Sequence, residues 1–344
     1  MSKGPGLPMK RSRLEDVAKK ARVTKSIASR ILNGVESLVV NPKTRARVIE
    51  AAAALNYKPN ATARALAAAE TKTIACILPP LTNSVYARIV QGAYRKALAL
   101  GYVVLMAEDS GGPEMERSLS RLIDHSRVDA VIMASAHPGH LLLPALASAK
   151  VPHVFVNREV DGSGCNVTMD DALASEVALA YLAGKGHRYI VHLAGPMMID
   201  TNRRRSLGFR RAARRLGLEP LEVECRDLSE AAGFDGAGVM IQRHSGVSAV
   251  YISSLRRAIG ALHHFQVHGI PVPERMSLVT NDDMPIAEYM SPPLTTLQMP
   301  IERLGEMAVE EVVRQIRGGA PRDVMIPTVP EIMERASVRS LSDN

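Results

Sequence analysis

Four short apolar runs follow residue 71, "TIACILP", "YVVLMA", "DAVIMA" and "HVFVN", and helical stretches such as 84–100 and 115–125 separate them. An apolar run without alternation is what a strand covered on both faces requires, and a helix between consecutive strands is the link that parallel strands need. A second series opens near Asp170: helix 171–184, "RYIVHLAG", helix 201–216, "VSAVYIS", helix 255–268 and "MSLVTND". Two successive series predict an α/β core of two doubly wound parallel sheets, one per lobe. With 344 residues, 46% of them hydrophobic, the chain has material for two or three such units.

The segment ahead of this core is built differently. Residues 1–66 carry 14 Lys and Arg against four acids, and the rest of the chain carries 29 against 31, so the excess positive charge lies in the first fifth. A basic module on a near-neutral body is the electrostatic footprint of nucleic-acid binding, although a solvated basic face has the same composition. The helical pattern decides between them. Leu14, Val17, Ala18 and Ala21 share one face of "SRLEDVAKKARV". Thr24 caps "KSIASRILN", where Ile27, Ala28, Ile31 and Leu32 turn inward while Lys25, Ser26, Ser29, Arg30 and Asn33 turn outward. Asn41 and Pro42 start a third helix with Val48, Ala51, Ala52 and Leu55 as its stripe. Three short helices, the first two joined by about three residues, read as an all-α helix-turn-helix. Lys25 and Arg30 suit guanine edges in the major groove, and Ser26 suits either bases or phosphates. Thr24, Ser29, Asn33, Thr44 and Arg45 suit phosphates, which position without specifying. The domain covers 13–59, after a flexible basic tail at 1–12.

"LEDVAKKARVTKSIASRILNG" and "KTRARVIEAAAALNYKPNATARAL" resemble the headpiece of the lactose/galactose/purine repressor (LacI/GalR) family of bacterial transcription regulators. The likeness continues through "TIACILPPLTNSVYARIVQGAYRKALALGY", "VPHVFVNR", "GKGHRYIVHLAGP", "RRRSLGFRRA" and "PPLTTLQMPIERLGEMAVEEV", in that family's order and spacing. The resemblance implies a transcriptional repressor that binds a palindromic double-stranded operator as a homodimer. It implies a core at 72–344 similar to periplasmic sugar-binding proteins, crossed three times by the chain. Lobe 1 takes about 72–168 and 300–328, and lobe 2 about 169–299 and 329–344. Without a leucine heptad after "ERASVRSLSDN", a dimer is expected rather than a tail-linked tetramer.

Residues 60–71 correspond to that family's hinge helix and linker, with Leu66 at the position of a minor-groove wedge. The physics agrees: nine residues from Asn60 are fewer than the roughly 12–15 at which an isolated helix becomes even marginal. Paired across a dimer through Ala63, two such helices could each push Leu66 between base steps and bend the duplex. Arg64 lies near the groove or a phosphate, and the resemblance adds Tyr57 and Asn60 to the DNA-facing set. Arg22 stands where the family prefers glycine, predicting a different turn or an extra phosphate contact.

Small molecules bind such folds beyond the carboxyl ends of the strands, in the cleft between lobes. The family's effector positions fall on Val85, Tyr86, Asn157, Arg158, Arg205, Ser254 and Asp282. Two departures stand out: Ser254-Leu255 where the family has Asn-Asp, and Thr280-Asn281 where it has glycine and an aromatic before the aspartate. Arg158 and Arg205 point to an anionic effector such as a sugar acid. In "TNRRRSLGFRRAARRLG" most other arginines form a solvated face. His187, in a helix-to-strand turn, has no paired nucleophile and reads as structural. Asp170-Asp171 reads as a helix start at its positive end, and one of Asp282-Asp283 as a hydroxyl acceptor.

No catalytic residue, metal ligand set or cofactor is read. Neither G-x-G-x-x-G nor G-x-x-x-x-G-K-[ST] follows the first strand, which argues against a nucleotide-using enzyme. Cys76, Cys165 and Cys225 are scattered and odd in number, as expected of reduced thiols in a cytoplasmic protein. "MSKGPGLPMKRS" lacks the apolar stretch of a secretory signal, and no run of about 18 apolar residues would span a membrane.

Overall fold

Capping, more than a large core, shapes the first helices. In the computed structural model, which describes residues 12–32, 38–57, 70–124, 128–327 and 329–341, the Arg13 amide donates to the Asp16 carboxylate (2.8 Å) at the start of α1 (Leu14–Ala21). Thr24 Oγ1 accepts from the Ile27 amide (3.3 Å) at α2 (Lys25–Leu32). Asn41 Oδ1 accepts from the Lys43 amide (2.9 Å) at α3 (Pro42–Ala54), whose first position is the expected proline. Each cap satisfies an amide that has no partner within the helix. Among the described residues, Val17, Ile31 and Val48 are the only buried side chains of this core larger than alanine. At about 1.5–3 kcal/mol for each large aliphatic side chain, such a core has little to spare.

Residues 1–71 form one compact unit and 72–344 another. The second contains two six-stranded sheets. The first sheet comprises β1 (Thr73–Leu78), β2 (Val103–Glu108), β3 (Ala130–Met133), β4 (His153–Val156), β5 (Asn166–Met169) and β11 (Val324–Ile326), in the order β11-β5-β4-β3-β1-β2. The other comprises β6 (Ile190–Ala194), β7 (Leu221–Glu224), β8 (Ala249–Ile252), β9 (Ser277–Asn281), β10 (Thr295–Gln298) and β12 (Glu331–Met333), in the order β12-β10-β9-β8-β6-β7. All pairings are parallel except β10 with β12. The chain therefore changes sheet after β5, after β10 and after β11.

Helices α4 (Ser84–Ala99), α5 (Pro113–Asp124), α6 (Leu142–Ala149) and α11 (Ile301–Ile316) belong with the first sheet. Helices α7 (Asp171–Gly184), α8 (Asp200–Arg215), α9 (Glu230–Arg243) and α10 (Leu255–Val267) belong with the second. Helix α11, far along the sequence, packs on α4 because two glycines let the backbones meet. A Cβ on Gly92 would lie 1.9 Å from the Glu302 carbonyl oxygen, and one on Gly305 would lie 1.9 Å from that of Ile89.

One local expectation needs correction. "YVVLMA" is not a strand covered on both faces: β2 is a sheet edge, and Val103, Leu105 and Met106 are exposed there. Its apolar composition does not reveal that no strand follows it outward. The expected helix start at Asp170-Asp171 holds, with Asp170 capping α7 by accepting from the Leu173 amide at 2.9 Å and Asp171 in the first turn; Asp171 is also fully buried and anchors an ion network.

Candidate functional site

In the N-terminal unit, Thr24, Lys25, Ser26 and Arg30 are exposed on α2 or its cap, and Ser29 is partly covered. The Lys25 ammonium pairs with Glu15 at 3.0 Å, a solvent-exposed bond that can yield to a phosphate or base. Thr44 and Arg45 sit half-buried in the first turn of α3, where Arg45 also donates to the Leu38 carbonyl (3.5 Å). Tyr57 packs against the three-helix core. Asn33, Asn60, Ala63, Arg64 and Leu66 lie outside the described residues. Arg22 adopts the left-handed conformation (φ 54°, ψ 50°) at the end of α1. The turn between α1 and α2 thus keeps a conformation that suits glycine, at a backbone cost of about 1–2 kcal/mol.

In the second unit, the carboxyl ends of the strands converge on a small polar cavity. Val85 and Tyr86 enter it from the start of α4, where Asn83 accepts the Val85 amide (3.1 Å). Asn157 follows β4 with φ 70°, Asp282 follows β9 with φ 71°, and Ser254 precedes α10. Arg205 reaches it from α8, held by Asp171 (2.8 Å) and the Ser253 carbonyl (2.6 Å). Arg158 stands behind Tyr86, donating to its hydroxyl (3.2 Å) and to the Ser135 carbonyl (3.2 Å), while its buried Nε has no protein acceptor. Six of the seven expected effector positions therefore line one cavity, and the seventh braces a lining side chain. The cavity measures about 30 Å³, roughly the volume share of one water, so a sugar-sized ligand needs the lobes to part.

Arg204, beside Arg205, ties the lobes together. It pairs with Asp171 (2.5 Å) and Asp200 (2.9 Å) and donates to the carbonyls of Met169 (2.7 Å) and Asn157 (2.8 Å). The Asp200 carboxylate also accepts from the Glu159 amide (2.9 Å). Farther along α8, Arg210, Arg211 and Arg215 are exposed and pair with Glu222 or Glu176. That is the solvated face the sequence predicts.

Sequence reasoning missed Asn202 and Arg257, both of which line the cavity. Arg257 is fully buried and donates only from Nη2, to Ser253 Oγ at 3.2 Å; Nε and Nη1 have no protein acceptor. Burial lowers its guanidinium pKa to about 10, with Cys225 and Asp282 opposing and Arg205 reinforcing the shift. It remains cationic at neutral pH. Burial also raises the Asp282 carboxyl, against the pull of Arg205 and Arg257. In "LRRAIG" nothing separated Arg257 from solvent-facing neighbours; only the entry of α10 into the cleft buries it. His187 is structural, bonded to Ser248 Oγ (2.9 Å) and the Arg339 carbonyl (3.2 Å).

A basic helix-turn-helix followed in the chain by a two-lobed receptor core defines a ligand-responsive DNA-binding regulator. Residues 13–60 match the model of bacterial regulatory proteins of the lacI family, and 179–338 match the periplasmic binding protein-like domain. The chain is 29% identical over 338 residues to the HTH-type transcriptional repressor PurR of Vibrio cholerae, covering 96% of this chain and 98% of that one. It is 29% identical over 331 residues to the ribose operon repressor of Escherichia coli K12, covering 94% and 99% respectively. The lac repressor dimer bound to operator and the anti-inducer ONPF superposes with a TM-score of 0.85 at 26% identity, over 96% of this chain and 100% of that one. The chain thus joins a DNA-binding domain of the lacI family to a periplasmic-binding-protein-like effector domain, the organisation of that family's transcriptional repressors. No described helix is long and apolar enough to cross a membrane.

Proposed function

We propose that this repressor acts in the cytoplasm as a homodimer on a palindromic operator, and that an anionic small molecule of the sugar-acid class controls it from the inter-lobe cleft. The observation that carries the ligand class is Arg257: a buried cation with two unused donors, in a cavity that also receives Arg205. A buried charge with too few acceptors is costly, and a carboxylate supplies what it lacks. Dimerisation is supported by the exposed apolar side chains of edge strand β2 and by Tyr94 and Leu98 on α4. Next to them lies a groove of about 1070 Å³, lined in part by Val90, Tyr94, Val104, Met106 and Met284. Although far larger than the cleft cavity, it is an open surface groove with apolar walls and suits a second copy of the chain better than a polar metabolite.

On this reading Lys25, Ser26 and Arg30 read bases, while Thr24, Ser29, Asn33, Thr44, Arg45 and Tyr57 set the register. The hinge at 60–69 folds on DNA with Leu66 as its wedge. Effector binding moves one lobe against the other and alters the spacing of the two hinges. A coupling of about 1–3 kcal/mol would change operator affinity roughly 5- to 150-fold.

The test is calorimetry against neutral sugars, sugar acids and purines, followed by operator binding with and without the hit. Binding confined to neutral sugars refutes the anionic class. A chain lacking residues 1–71 should keep effector binding and lose the operator; retention of specific operator binding refutes the assignment of the headpiece.

A further inference from the structure

We propose that the first lobe carries a binding site for a zinc-class divalent ion, formed by Glu116, His137 and His140, none of which lines the effector cavity. The three ligands come from α5 and from the segment between β3 and α6, so no compact sequence motif contains them all. Their candidate ligand atoms all lie within 4.8 Å of one another. His137 Nε2 is 3.5 Å from Glu116 Oε1, and His140 Nδ1 is 3.8 Å from Glu116 Oε2. Ligands about 2.0–2.2 Å from a tetrahedral zinc stand roughly 3.3–3.5 Å apart, so small side-chain movements complete the arrangement.

The hydrogen bonds around the cluster already select the right tautomers. His140 Nε2 lies 2.9 Å from Asp109 Oδ2 and donates to it, which leaves Nδ1 with its lone pair. His137 Nδ1 donates to the Pro138 carbonyl (3.0 Å), which leaves Nε2 facing Glu116. His140 Nδ1 and His137 Nε2 thus lie beside one carboxylate, a donor set that a divalent ion can share. A carboxylate behind a histidine ligand is the usual outer support of a zinc site. The Leu142 amide donates to His140 Nδ1 at 3.1 Å, a hydrogen bond that an ion on Nδ1 must replace. The Leu141 amide holds Glu116 Oε2 at 2.8 Å and leaves Oε1 for the ion. His140 and Glu116 are buried, while His137 is 39% exposed, so a path from solvent and an open fourth position are available. Two imidazoles with a carboxylate favour zinc or cobalt over magnesium or calcium.

The test uses tag-free, full-length protein stripped with a chelator, titrated with Zn²⁺ by calorimetry and with Co²⁺ by visible absorption. The expected result is one ion per chain with a tetrahedral cobalt spectrum. Affinity should fall at least 10-fold in both His137→Ala, a change on a partly exposed loop, and Glu116→Gln. Asp109→Asn, acting through His140, should weaken binding about 10- to 100-fold. No uptake at micromolar Zn²⁺, or uptake unchanged in folded His137→Ala protein, overturns the proposal. So does a wild-type cluster in which His137 NMR resonances titrate against Glu116 with no response to Zn²⁺.

Discussion

Arg257 and Arg30 illustrate two opposite uses of a guanidinium. Arg30 is exposed on α2, and a bidentate base contact from it predicts that Arg30→Ala weakens specific operator binding by about 1–3 kcal/mol while nonspecific binding changes little. Fluorescence anisotropy on specific and scrambled duplexes separates the two, and an equal loss on both would assign Arg30 to phosphate. Arg257 is buried and poorly partnered. Arg257→Met should therefore leave thermal stability without ligand unchanged or raise it. The same change should reduce affinity for an anionic effector by about 1.5–3 kcal/mol, the worth of a charge-assisted bond. A large drop in melting temperature without ligand would instead make Arg257 a structural residue. His187 contributes a pH dependence. Burial lowers its folded pKa from 6.5, so the unfolded chain binds the extra proton and the stabilisation, complete above that value, is lost as pH falls below it. Melting curves between pH 8 and 5.5, with NMR titration of the His187 ring, check the sign.

At the level of elements, the helix-turn-helix was legible because its signals are local. Caps at Thr24 and Asn41, Pro42 at the first position, and apolar residues at helical spacing each act within one or two turns. The α4–α11 pair was not legible in that way, since its contact depends on Gly92 and Gly305 meeting backbone from more than 200 residues apart. Gly305→Ala should destabilise the effector domain by about 3 kcal/mol or more, as overpacking against backbone that cannot yield. Chemical denaturation measures it, and a change under 1 kcal/mol would mean the helices can separate freely. For the hinge, Leu66→Ala should reduce both operator affinity and DNA bending; a fully bent and tightly held duplex in that variant would remove the wedge.

For the whole molecule, the proposed dimer rests on the edge strand β2. Placing a charge on it with Leu105→Glu should shift the protein from dimer to monomer in sedimentation and lower operator affinity, because a palindrome rewards paired headpieces. An unchanged dimer would move the interface elsewhere. The sequence by itself determined the alternation of strands and helices, the basic headpiece and half of the positions that line the cleft. These rest on periodicity, charge and a family's spacing, all of which are properties of short stretches. Only the tertiary structure decided that β2 is an edge, that Asp171 anchors two arginines, that Arg257 turns inward, and that Glu116 meets His137 and His140. Each of these depends on which distant segments the folded chain brings within a few ångströms, and on whether water remains there once they meet.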